Sequence, residues 1–126
     1  MSESELLAGV LELLQYLQNQ GKVWHTRLNS GSIIVPGKNK NYRIKLSPEG
    51  TADVMVIREG QIYFLETKAP DGGKQSPAQI EFQKKIEEQG AIYLLVRDLQ
   101  EVIDEFTDSG RDTEEVNIFT LGSCKG

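Results

Sequence analysis

"ADVMVIREGQIYFLETK", residues 52–68, is the stretch from which the fold can be read. Two runs rich in β-branched and aromatic residues flank Glu59-Gly60, a two-residue turn of the kind that closes a β-hairpin. With that turn, Asp53 faces Glu66 and Thr51 faces Lys68. Side chains alternate along a strand, so the charged face also carries Met55, Ile57, Ile62 and Phe64. An apolar patch therefore runs from the turn to two carboxylates and a lysine.

Directly opposed like charges destabilise a sheet, so such a pair next to a core requires a compensating group. A hard divalent cation, Mg²⁺ or Mn²⁺, is one such group, with Asp53 and Glu66 as ligands and the Thr67 carbonyl as a third donor. Lys68 then stands where it would orient a water or stabilise developing negative charge. The alternative is an ion-pair cluster in which both carboxylates compete for Lys68 and no chemistry occurs.

Working outward, residues 4–19 place Leu6, Val10, Leu13, Leu14 and Leu17 on one helical stripe, which Gly21 ends. "KVWHTRL" (22–28) reads as a short strand, with Trp24 expected in the core and His25 as a partly exposed strand residue. Residues 29–50 read as a long loop enclosing strands near Ile33–Val35 and Tyr42–Leu46. A connection of that length points to a ligand-facing role, and Trp24 and Tyr42 are candidates for stacking on bases. "SPAQIEFQKKIEEQG" (76–90) is a helix with Ser76 as N-cap, Pro77 in first position and Gly90 past its end. "AIYLLVR" (91–97) is a buried strand, followed by a short acidic helix over Asp98–Phe106 and an edge strand at Val116–Leu121. The order implies one α/β domain over residues 1–126, a mixed sheet flanked by helices.

The chain has 126 residues and a net charge of −5, which argues at first against nucleic acid. The charge is unevenly spread. No acid lies between Lys22 and Pro48, yet six of the fourteen Lys and Arg residues do, while eight of the nineteen acids fall between Asp98 and Glu115. A locally basic segment can grip phosphates in an acidic chain, although a solvated loop has the same composition. The one cysteine, Cys124, excludes an intramolecular disulfide; neither a membrane-spanning stretch nor a signal-like N-terminus is evident, and a cytoplasmic protein is expected.

"GTADV" (50–54), "ETK" (66–68), "SPAQIEFQ" (76–83), "GAIYLLVR" (90–97) and "RLNSG" (27–31) together resemble the VRR-NUC, or virus-type replication-repair nuclease, domain of the PD-(D/E)XK superfamily. The resemblance covers about residues 3–106 and leaves 107–126 as an extension. It implies a restriction-endonuclease-like core and a Mg²⁺- or Mn²⁺-dependent DNA endonuclease. Asp53, Glu66, Lys68 and Gln79 would be the catalytic residues, and Asp53, Glu66, the Thr67 carbonyl and a first-helix glutamate would hold metal. Glu3 is preferred for that last place by helical phase, which sets it on the core-facing stripe, and Glu5 by distance along the chain. Arg27, Asn29, Ser30, Lys38, Lys40, Arg43 and Lys45 would contact DNA. The resemblance further implies a homodimer cutting branched DNA such as a four-way (Holliday) junction. A flap or single-strand nuclease, or a non-cleaving binding module, are the alternatives. Ala52 departs from the proline often found before the aspartate. Ser2-x-x-Glu5 and Ser76-x-x-Gln79 also fit capping boxes, an ordinary structural role for Glu5 and Gln79.

Overall fold

The computed structural model describes residues 1–28 and 31–107. Asn29 and Ser30, the Val116–Leu121 strand and Cys124 lie outside the described residues. Three helices, α1 (Glu3–Asn19), α2 (Pro77–Glu88) and α3 (Leu99–Phe106), accompany strands β1 (Trp24–Arg27), β2 (Ser32–Pro36), β3 (Asn41–Lys45), β4 (Val54–Arg58), β5 (Gln61–Thr67) and β6 (Ile92–Val96). A four-stranded sheet has the order β1-β4-β5-β6, and β2 and β3 form a separate two-stranded sheet. The first two pairings are antiparallel and β5–β6 is parallel, with α2 as the crossover. The protein is thus α/β, with a mixed sheet flanked by helices.

Each helix starts on a side chain that satisfies its exposed amides. Ser2, Ser76 and Asp98 are N-caps, and in each case the residue at the third helical position (Glu5, Gln79 or Glu101) returns the bond, completing a capping box. The stripe read from the sequence of α1 is the core: Leu6, Val10, Leu13, Leu14 and Leu17 are all buried, against Val54, Val56 and Leu65 of the sheet and Val102, Ile103 and Phe106 of α3. Burial contributes roughly 1.5–3 kcal/mol per such side chain, so Leu13→Ala would cost about 2–5 kcal/mol. The opposite sheet face meets α2 through aromatic edges, Phe82 lying 5.2 Å from Phe64 and 6.4 Å from Tyr93 between ring centres.

The Glu59-Gly60 turn is as read from the sequence, with both residues at positive φ (50° and 81°), the requirement of a type I′ hairpin. The register also holds from Arg58↔Gln61 to Val54↔Leu65. There the regular ladder ends. The Asp53 amide donates to the Leu65 carbonyl (3.0 Å), already opposite Val54, which is the contact of a β-bulge. Thr51 turns back on Pro48, whose carbonyl accepts from both its amide and its hydroxyl. Trp24 is not a core residue: it is 48% exposed, because β1 is an edge strand and α2 packs mainly against β6. Among the described residues, no helix is long and apolar enough to cross a membrane.

Candidate active site

The bulge sets Asp53 at the end of β4 and turns its carboxylate toward Thr67. Oδ2 accepts from the Thr67 amide at 2.8 Å and from the Thr67 hydroxyl at 2.9 Å. The expected face-to-face pair of Asp53 and Glu66 is therefore replaced by an Asp53–Thr67 bond, with Glu66 beside it. The backbone is fixed as well, since the Leu28 amide donates to the Asp53 carbonyl at 2.8 Å. Two hydrogen bonds from buried Thr67 hold the aspartate in one rotamer.

Glu66 is 3% exposed. Its Oε2 accepts from Gln79 Nε2 at 2.9 Å, whereas Oε1 is buried without a hydrogen-bond partner. Burial first, and then the Asp53 charge, push its pKa from the ordinary 4.5 up to about 7; Glu3 adds to the rise, while Lys68 and Gln79 oppose it. A buried carboxyl with one unsatisfied oxygen is costly in a folded chain. It is also where functional chemistry concentrates. Oε2 is engaged by Gln79, and the Lys68 charge is near enough to oppose the rise in pKa.

Gln79 both caps its helix and reaches Glu66. Its Oε1 accepts from the Ser76 amide at 2.9 Å to complete the capping box, and its Nε2 holds Glu66. The start of α2 is thereby tied to the end of β5. Gly50 makes this approach possible: at φ +86°, it lies so close to Ala78 that a Cβ would overlap that residue's carbonyl. In α1, Glu5 is occupied by its cap, accepting from the Ser2 amide at 2.8 Å. Glu3 is exposed rather than core-facing. It lines a cleft of about 450 Å³ with Ser2, Ser4, Leu7, Asp53 and Thr67, so of the two glutamates it is the one placed at the carboxylates.

Lys68 is the first residue past β5, half-buried, with its amide donating to the Val96 carbonyl at 3.0 Å and its aliphatic stem beside Gly73. Sequence reading gave no role to Arg97, which organises this region. Its guanidinium donates to the carbonyls of Ala69 (3.0 Å), Gly72 and Gly73 (3.0 Å), fastening the loop after Lys68. The only signal in the sequence is a cation terminating a buried apolar strand. Tyr93, also buried, has its pKa pushed up to about 12, chiefly by burial, with the nearby Gln75 amide offsetting a little of this.

Arg27, Lys38, Lys40, Arg43 and Lys45 are exposed, Arg27 at the end of β1 opposite Val54 and the other four on the β2–β3 hairpin. His25 is a structural strand residue, its Nδ1 at 2.7 Å from the Gln18 side-chain oxygen. Among the described residues, no three His, Cys, Asp or Glu side chains are gathered as a metal-ready group. The oxygens at the sheet end that could serve a metal are the Asp53 and Glu66 carboxylates, with Glu3 at the rim of the cleft. That is the sparse set suited to Mg²⁺, which keeps several waters and binds through one or two carboxylates. No family model matches the chain, and no curated protein matches it.

Proposed function

We propose that this protein is a metal-dependent endonuclease that hydrolyses phosphodiester bonds in DNA, with a restriction-endonuclease-like core of the VRR-NUC type. The observation that carries the reading is Glu66: a buried carboxyl whose pKa is raised to about 7 beside Asp53, with one oxygen unpartnered and the other held by the motif glutamine. Such an arrangement is unfavourable as structure alone and well suited to a divalent cation. The residues fit that group. Asp53, Glu66 and the Thr67 carbonyl would hold Mg²⁺ or Mn²⁺, with Glu3 as an outer contributor.

A bound cation would supply charge to polarise the phosphate and to make a water nucleophilic at neutral pH. The chain's own residues supply position and protons. Thr67 fixes the Asp53 carboxylate through two bonds, and Gln79 orients Glu66 from the helix start. Lys68, between the end of β5 and the Arg97-bound loop, would orient the attacking water or neutralise charge developing on the phosphate oxygens. Branched DNA is the proposed substrate, and a two-fold homodimer would suit symmetric cuts in a four-way junction. A cleavage panel of four-way junction, flap, single-stranded and duplex DNA in Mg²⁺, Mn²⁺ or EDTA tests this. Cutting is expected with metal only and strongest on the junction. Absence of metal-dependent cutting on every substrate would refute it.

A further inference from the structure

The β2–β3 hairpin belongs to neither face of the main sheet. Its pairs put Ile33 opposite Ile44 and Val35 opposite Tyr42, so these four side chains share one face, which Leu46 extends. Ile33, Tyr42, Ile44 and Leu46 are each 44–51% exposed. An isolated two-stranded hairpin is marginal in water, and a wholly apolar exposed face makes a partner necessary. The other face carries Arg43 and Lys45 beside an exposed Ile34, and the tip is cationic. Arg43 is bonded to Ser32 and Lys45 lies 3.6 Å from Glu49, while Lys38 and Lys40 flank the tip.

Charge complementarity selects the partner. With Lys38, Lys40, Arg43 and Lys45 against the single acid Glu49, the arm carries a net positive charge and suits a polyanion. The Lys40 ammonium sits 5.4 Å over the Tyr42 ring, and Gly37 lies so near that ring that a Cβ would overlap it. Tyr42 is thus a held aromatic platform with a cation beside it. A dry interface with a second copy would bury that ammonium, whereas a nucleotide offers a base to the ring and a phosphate to the lysine. The arm is rooted beside the site: the Leu28 amide at its entry bonds the Asp53 main-chain carbonyl, and Gly50 at its exit abuts the start of α2.

We infer that the apolar face of the β2–β3 hairpin, centred on Tyr42 and Ile44, binds unpaired bases of nucleic acid and delivers the adjoining backbone to Asp53 and Glu66. This rests on the nuclease reading for its purpose but is tested separately from it. Binding of a labelled single-stranded oligonucleotide and of a duplex of equal length is measured in EDTA, where nothing is cut. The wild type should prefer the single strand. Tyr42→Ser with Ile44→Ser should weaken single-strand binding by about tenfold or more while leaving duplex binding and the salt slope nearly unchanged. Tyr42→Trp, which keeps a stacking surface if the double variant loosens the arm, should retain the preference. Equal losses on both DNAs, or no loss, would overturn the proposal. So would a wild-type dimer that the double variant converts to monomer in sedimentation, since the face would then belong to a second copy. Arm-dependent single-strand binding without any metal-dependent cleavage would remove the nuclease reading and leave this surface standing; cleavage with unaltered binding by the variants would do the reverse.

Discussion

Replacing Glu66 by glutamine should stabilise the metal-free protein at neutral and alkaline pH. Folding raises the pKa of this carboxyl from 4.5 to about 7, so the unfolded chain ionises it more readily than the folded one. Below pH 4 the group is protonated in both states and has no effect. Between pH 4.5 and 7 it is charged in the unfolded chain but still protonated when folded, so stability falls as pH rises. Above 7 the penalty is complete, at about 3 kcal/mol from the pKa difference, or about 1–3 kcal/mol once side-chain relaxation and water entry are allowed for. Glutamine keeps the shape and can accept the Gln79 bond without the charge. For a domain of this size that corresponds to a melting temperature about 4–15 °C higher at pH 8 in EDTA, with little difference at pH 4.5. Mg²⁺ or Mn²⁺ should then raise the melting temperature of the wild type and hardly that of Glu66→Gln, closing or inverting the gap. Thermal unfolding of both proteins at the two pH values, with and without metal, measures every part of this. A glutamine variant equally destabilised at pH 4.5 and pH 8 would refute the reasoning, because the carboxyl would then be serving as a structural bond.

Asp53→Asn should lose most of the metal-induced rise in melting temperature, and equal rises in variant and wild type would exclude Asp53 from the cation site. Lys68→Ala should fold and bind metal and DNA normally yet cleave about a hundredfold or more slowly, and Lys68→Arg should not restore the rate fully; near-normal cutting by Lys68→Ala in a junction-cleavage assay would make the lysine decoration. Arg97→Ala should release the loop after Lys68, costing about 1–3 kcal/mol in denaturant unfolding and slowing cleavage more than it weakens DNA binding. Gly50→Ala should destabilise by more than about 2 kcal/mol, since a Cβ there meets the Ala78 carbonyl at a positive φ, and a wild-type unfolding midpoint would show that α2 can retreat without harm.

The elements of this protein were legible in its sequence because local chemistry governs them. The 3.6-residue stripe from Leu6 to Leu17 needs a buried face, Glu59-Gly60 suits only a tight turn, and Ser76-Pro77 with Gln79 starts a helix on side-chain bonds within one turn. The hairpin register followed from the turn as far as Val54↔Leu65. Beyond that point, packing decided. The bulge that turns Asp53 onto Thr67, the withdrawal of Glu66 from water and its bond to Gln79 depend on elements far apart in the chain meeting at one sheet end. Trp24 reads as a core residue by composition, but its exposure is set by which strand forms the edge and how far α2 reaches, and neither is written locally. Helical phase favoured Glu3 for the wrong reason, since Glu3 is exposed and not core-facing; the cap occupies Glu5 locally, whereas the cleft that Glu3 shares with Asp53 exists only once α1 lies against the sheet. Arg97 carried almost no signal, since three backbone carbonyls converge on its guanidinium only when the loop after Lys68 folds across the end of β6. Sequence determined which residues would be charged and which strands would carry them. Tertiary structure determined which carboxyl lost its water, and that desolvation is what raises its pKa.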